Sequence, residues 1–272
     1  MDEFRGRVAV VTGGGSGLGA EMARSFAREG AKIVLADLDA AAMDQVAGEI
    51  GKAGGEAVGI RVDVTKRADV EALAKQAFGR FGAVHIVCNN AGVGVFGTLA
   101  TATDRDWQWV MNVNFWGVVH GIDAFVPRMI EQKQGGHIVN TASMAGLTGM
   151  PGLGVYCASK FAVVGLSESL QRELKPAGIG VSVLCPMIVR TNINASERNR
   201  PAELRNPGAG EPTLQEADYS YQRVIEPAEV GKRVVQAIRD KDFYILTHRE
   251  QQEILARRSE RIDKAAKKYA TA

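Results

Sequence analysis

RVAVVTGGGSGLG, residues 7–19, decides the fold. Its first six residues, Arg7–Thr12, are a short run rich in β-branched side chains, as expected of a strand buried on both faces of a parallel sheet. Glycines at 13, 14, 15, 17 and 19 follow at once, and a helical stretch begins at Gly17. Glycines let the backbone turn sharply and let a phosphate approach without meeting a Cβ. The helix N-terminus adds free N–H groups and partial positive charge. Strand, glycine turn and helix in this order predict a pyrophosphate cradle lined by Gly13, Ser16, Gly17, Leu18 and Gly19.

The pattern repeats outward from that turn. Lys32–Asp37, Ala57–Val64, Val84–Asn89, Gly136–Ala142, Gly180–Cys185 and Phe243–Leu246 read as further strands. Helical stretches separate them at Gly17–Glu29, Ala40–Ala53, Lys66–Phe81, Asp104–Gln132, Val155–Lys175 and Pro227–Arg239. Pro127 predicts a kink or break in the fourth of these. Strand–helix alternation predicts a doubly wound Rossmann fold, a mostly parallel seven-stranded sheet covered on both faces. No linker divides the chain, so residues 1–272 read as one domain that binds dinucleotide and carries the chemistry. Residues 190–226, with Pro201, Pro207 and Pro212 among polar clusters, read as a lid segment. Residues 248–272 read as a terminal surface helix.

Bulk properties exclude several classes. A net charge of +2 gives no reason to propose nucleic acid or an anionic membrane as partner. The N-terminus has acidic residues and no apolar core, unlike a secretion signal, and no apolar run approaches a membrane span. Cys88, Cys157 and Cys185 are odd in number and far apart, which suits free thiols in the cytoplasm. Neither these nor the four histidines show metal-ligand spacing, so no metal is expected.

Asp37 closes the second strand, eighteen residues beyond Gly19. A carboxylate there can accept from ribose hydroxyls and would repel a 2′-phosphate, and Ser16 and Leu38 stand where a basic residue would welcome one. NAD is therefore expected rather than NADP. Further along, Ser143 precedes Tyr156 by thirteen residues, and Lys160 lies one helical turn beyond Tyr156. An ammonium beside a phenol favours the phenolate, which predicts a lowered tyrosine pKa and proton exchange near neutrality.

With these motifs in order, the chain resembles the short-chain dehydrogenase/reductase family over about residues 7–246. Thr12-Gly13-x-x-x-Gly17-x-Gly19 matches its cofactor turn. Asp63 and Val64 resemble the pair that meets adenine. Asn89-Asn90-Ala91-Gly92 resembles the segment that steadies the sheet beside the cofactor. The resemblance implies Asn114, Ser143, Tyr156 and Lys160 as the catalytic four. Tyr156 would be the acid/base; Lys160 would tune it and hold the nicotinamide ribose. Ser143 would donate to the substrate oxygen, and Asn114 would fix a water joining Lys160 to solvent. Pro186 and Thr191 would flank the nicotinamide. The family usually has Pro-Gly after the sixth strand, whereas this chain has Pro186-Met187.

The segments FVPRMI (125–130), GIGVSVLCP (178–186) and RTNINASERNRP (190–201) are similar to those of dehydrogenases of lignin-type aryl-ether benzylic alcohols. The pocket wall implied by the resemblance includes Val93, Phe96, Met144, Met150, Leu153 and Met187, all apolar, which suits a hydrophobic secondary alcohol or ketone. Arg190, Arg198, Arg200 and Arg205 read as solvated lid charges. The apolar face of Val155–Lys175 implies, by resemblance, a homodimer or homotetramer. Two rival classes share parts of this pattern: a non-catalytic NAD-binding scaffold, and an epimerase or dehydratase using tightly held NAD.

Overall fold

The computed structural model describes residues 3–207 and 223–270. Seven strands form one sheet: β1 (Val8–Thr12), β2 (Lys32–Asp37), β3 (Glu56–Arg61), β4 (Ile86–Asn89), β5 (Gly136–Thr141), β6 (Ile179–Cys185) and β7 (Tyr244–Leu246). Their order is β3-β2-β1-β4-β5-β6-β7, and every neighbouring pair is parallel. The order reverses between β1 and β4, which opens a crevice beyond the carboxyl ends of those strands. Thr12 ends one side of that crevice and Asn89 the other.

Residues along β1 alternate between two cores, as a period of two requires. Ala9 and Val11 join Phe26, Met43 and Val234 beneath α1 (Gly17–Arg28), α2 (Ala40–Lys52) and α7 (Pro227–Asp240). Val8 and Val10 join Leu73, Phe125 and Leu170 beneath α3 (Arg67–Phe81), α5 (Gly117–Glu131) and α6 (Gly154–Leu174). Each buried Leu, Ile or Phe contributes roughly 1.5–3 kcal/mol, so the glycine turn is carried on a rigid double-sided core.

The stretch expected as one helix from 104 to 132 is divided, but not at Pro127. α4 (Asp104–Met111) passes through a π-helical turn at Asn112–Trp116 into α5, which continues past Pro127 to Glu131. Pro127 and Asp123, whose carbonyl it leaves without a helical partner, both lie on the exposed face, so solvent can take that carbonyl. A π turn inserts a residue and rotates the helix beyond it, a device frequent at functional sites. Here it turns Asn114 inward to full burial.

The tail is α8 (Gln251–Tyr269), with Ile262 and Tyr269 exposed and Gln251 fully buried. Of the segment expected as a lid, residues 208–222 lie outside the described residues. Its first part forms short 3₁₀ turns at Asn192–Asn199 and Ala202–Leu204, and it returns where Ile225 pairs with Val189. Among the described residues no helix is long and apolar enough to cross a membrane.

Candidate active site

The glycine turn is built for close approach. A Cβ on Gly19 would lie 2.0 Å from the Gly13 carbonyl oxygen, and Gly13 itself has φ +66°. Ser16 stands at the N-cap of α1 and makes no side-chain capping bond, which leaves the first turn of the helix open to a ligand. Gly15 donates its N–H to the Asp37 carboxylate at 2.9 Å, and Asp39 donates to the other oxygen at 3.2 Å. A carboxylate offers about four lone pairs, so Asp37 keeps capacity for two ribose hydroxyls.

Thr12 ties this turn to the far side of the crevice. Its hydroxyl accepts from the Asn90 and Ala91 amides at 2.9 and 3.1 Å, while the Asn90 side chain donates to the Thr12 carbonyl at 3.0 Å. Asp63 accepts from Thr65 and pairs with Lys66 at 3.5 Å, and the Val64 carbonyl accepts from His120 at 2.9 Å. Thr191 packs over the turn, because a Cβ on Gly17 would fall 3.4 Å from its methyl. These residues fit a dinucleotide with an unphosphorylated adenosine ribose.

Beyond the turn, β5 and α6 bring Ser143, Tyr156 and Lys160 together. Ser143 begins a short 3₁₀ turn, Met144–Gly146, after β5, and its hydroxyl lies close enough to the Tyr156 phenol to act on its ionisation. Tyr156 and Lys160 share the first turns of α6, with Nζ 5.6 Å from the ring centroid. Lys160 is buried and donates to the Thr141 carbonyl at 2.9 Å. Asn114 accepts from Val93 N–H at 2.8 Å and donates to the Val93 carbonyl and to Ser159. A Cβ on Gly92 would sit 3.4 Å from both Asn114 Oδ1 and Lys160 Nζ, so the glycine keeps open the space between them.

The expected lowering of the tyrosine pKa is not what these surroundings give. Burial pushes Tyr156 up to about 12 against the lowering effect of Ser143, and burial pulls Lys160 down to about 8. Both charged forms lose water in the same cleft, and that loss is the largest cause for each.

Met187 raises no difficulty for the turn after β6. Among the described residues only Lys133 and Lys241 are non-glycine residues with positive φ, and Met187 N–H donates to Thr247 Oγ1 at 3.1 Å. Pro186 accepts through its carbonyl from Met144 N–H at 2.8 Å. Met144, expected on the pocket wall, is instead buried behind it, whereas Phe96 is 50% exposed at the rim.

Arg200 departs furthest from its reading as a solvated charge. Its side chain is 3% exposed, pairs with Asp106, bonds Glu197 at 3.0 Å and lies 4.7 Å above the Trp109 ring. Burial opposes ionisation of Asp106, but bonds from Arg200, Thr103 and Asn206 overcome it and hold the carboxyl below its usual range. Ser196 accepts from Gly94 N–H at 3.0 Å. Residues 196–206 are thereby fastened to α4 and the loop before it. Nothing in the local sequence announces partners about a hundred residues apart. Arg190 and Arg198 do sit at the surface, bonded to Glu226 and to the Asn192 and Ala195 carbonyls.

Sheet order, crevice and glycine turn define a Rossmann-type α/β protein. The sequence model of the short chain dehydrogenase family matches residues 7–202, and the chain belongs to that family. A crystal structure of a short-chain dehydrogenase/reductase from Burkholderia phymatum in complex with NAD superposes with a TM-score of 0.90 at 44% identity, covering 97% of this chain and 96% of that one. A CLA biosynthesis dehydrogenase/reductase of Lactiplantibacillus plantarum is 34% identical over 96% of this chain and 95% of its own length. A C alpha-dehydrogenase of Sphingobium is 35% identical over 93% and 84% respectively, in line with the resemblance drawn from residues 125–130, 178–186 and 190–201. The chain is thus an oxidoreductase of this family.

Proposed function

We propose that this chain transfers hydride between NAD and a hydrophobic secondary alcohol or ketone, with aryl carbinols the preferred class. The observation that carries the reading is the convergence of Ser143, Tyr156 and Lys160 at the carboxyl ends of the central strands, beside an open glycine turn. Asp37 supports NAD over NADP through its half-buried carboxylate and the lack of any basic side chain at Ser16 or Leu38. When bound, the dinucleotide supplies a cationic pyridine ring that accepts hydride.

Tyr156 Oη takes the hydroxyl proton as the carbinol carbon gives up hydride; ketone reduction runs the same transfer backwards. Ser143 Oγ donates to the substrate oxygen, where negative charge builds. Lys160 Nζ holds the nicotinamide ribose. Asn114 orders a water in the space beside Gly92, through which Lys160 exchanges protons with solvent. Gly13, Ser16, Gly17, Leu18 and Gly19 receive the pyrophosphate, Asp63 and Val64 the adenine, and Asn90, Ala91, Gly92, Pro186 and Thr191 the nicotinamide half. The working unit is a single domain, cytoplasmic, and a homodimer or homotetramer through the outer face of α6.

Incubation with NAD and a panel of aryl carbinols, aliphatic alcohols and steroids, read by NADH absorbance, tests this. Net NADH with aryl carbinols is expected. Turnover confined to non-aromatic substrates would refute the substrate class, and product without net NADH would favour an epimerase or dehydratase.

A further inference from the structure

The tail helix is polar enough to read as pure surface, yet its first residue has no exposure at all. Gln251 Oε1 accepts from the Thr247 and His248 amides at 2.8 and 2.9 Å. Its Nε2 donates to the Cys185 carbonyl at 2.8 Å and lies 3.4 Å from Met144 Sδ. A primary amide has two donor hydrogens and an oxygen with two lone pairs, and this one uses all four.

The partners matter more than the count. Cys185 is the last residue of β6, and Pro186 and Met187 follow it into the turn expected beside the nicotinamide. Met144 is the residue after Ser143, and its N–H donates to the Pro186 carbonyl, which the Ser143 hydroxyl also approaches at 3.4 Å. Met187 N–H is held by Thr247 Oγ1, and Thr247 is itself fixed to Gln251 through its amide. One buried side chain from the tail therefore fastens together the end of β6, the corner after β7 and the peptide that carries Ser143. It touches none of the glycine turn, Asp37 or Asp63, on which the adenine half depends.

We propose that Gln251 is a positioning residue for the reaction: by fixing the Cys185–Met187 turn and, through Pro186, the Ser143 hydroxyl, it sets the alignment of the substrate oxygen. The inference rests on the function given above. A buried amide that satisfies four groups at once leaves the turn one arrangement, whereas an apolar replacement leaves two N–H groups and a carbonyl unpaired and free to shift. Misplacement of a reacting group by about 1 Å can cost about a hundredfold in rate.

Two variants test it, with kcat, calorimetric Kd for NAD and thermal midpoint measured on each. Gln251→Leu should lower kcat at least about tenfold while Kd for NAD stays within about twofold. Gln251→Glu keeps both acceptor bonds, and its carboxyl can donate to the Cys185 carbonyl only while protonated. The ratio of its kcat to that of the parent should therefore be near one at the acid end of the pH profile and fall as pH rises. Taking the ratio cancels titrations common to both proteins, among them Tyr156 and Lys160; the titratable groups that adjoin residue 251 itself are His248 and Cys185. The Cys185 thiol, pushed up to about 12 by burial, keeps its proton throughout. Parental kcat in a folded Gln251→Leu, or a pH-independent ratio for Gln251→Glu, would overturn the proposal. So would a loss of NAD binding in proportion to kcat, the mark of general unfolding. If the parent itself makes no NADH with any alcohol, the function fails and this inference with it; a parent that turns over beside unaffected variants sinks the inference alone.

Discussion

The two walls of the crevice are built on different principles. On the β1–β2 side the wall is mainly backbone: glycines at fixed spacing, an uncapped helix start and one carboxylate on the neighbouring strand end. On the side beyond β5 it is held by side chains that reach across long sequence distances, as in Asp106 to Arg200 and Gln251 to the Cys185 carbonyl. The glycines of the first wall tolerate little change because they have no side chain to trim, only space to lose. The second tolerates change only where partners are exchanged together. A cofactor shared across a family suits the first construction, and a variable substrate suits the second.

The largest expected effect breaks the first wall. Gly19→Ala would set a Cβ 2.0 Å from the Gly13 carbonyl oxygen, a backbone clash that no rotamer relieves. NAD binding, followed by calorimetry, should become undetectable, and binding of parental strength would contradict the turn's assigned role. The second wall should break by a different rule. Arg200→Met alone leaves the buried Asp106 carboxylate uncompensated and should cost about 3–5 kcal/mol in urea unfolding. Arg200→Met with Asp106→Asn removes both charges while keeping an acceptor for Thr103, and should recover most of that loss. A double variant as unstable as the single one would show that the pair is not the fastening.

A smaller effect sharpens the cofactor side. Asp37→Ser removes the carboxylate that repels a 2′-phosphate, and the preference for NAD over NADP in kcat/KM should narrow by about tenfold or more, about 1.4 kcal/mol. An unchanged ratio would mean that Leu38 and Ser16 set the preference. A further effect, confined to acid pH, lies in the core beneath both walls. Burial drives His137, bonded through Nε2 to Ser182, down to about 3. Below the unfolded value near 6.5, the unfolded chain takes up a proton that the folded chain refuses. The stability from this group is therefore complete above pH 6.5 and lost progressively as pH falls toward 3. In urea titrations His137→Gln should flatten that acid slope, and an identical slope would assign it elsewhere.

This division explains what could be read from the sequence. The strands from β1 to β7 and their helices were legible to within a few residues, because period, glycines and β-branched runs are local signals. So was the Ser143, Tyr156 and Lys160 cluster, since one helix and one strand end carry it. The break at Asn112–Trp116 was not, because a π turn leaves no compositional mark while Pro127 leaves a misleading one. Arg200 and Gln251 escaped because a charge in a proline-rich loop and an amide in a Lys- and Arg-rich tail look solvated until the fold supplies partners. The direction of the Tyr156 pKa escaped for the same reason, since spacing gives the neighbour but not the loss of water.

In the proposed reaction the Tyr156 hydroxyl moves the substrate proton while the glycine turn, separately, holds the dinucleotide. Single-turnover NADH formation by Tyr156→Phe, with the Kd for NAD measured on the same sample, tests it most directly. The expected result is unchanged NAD affinity and a rate lower by about a hundredfold or more. Undiminished NADH formation in that variant would contradict it.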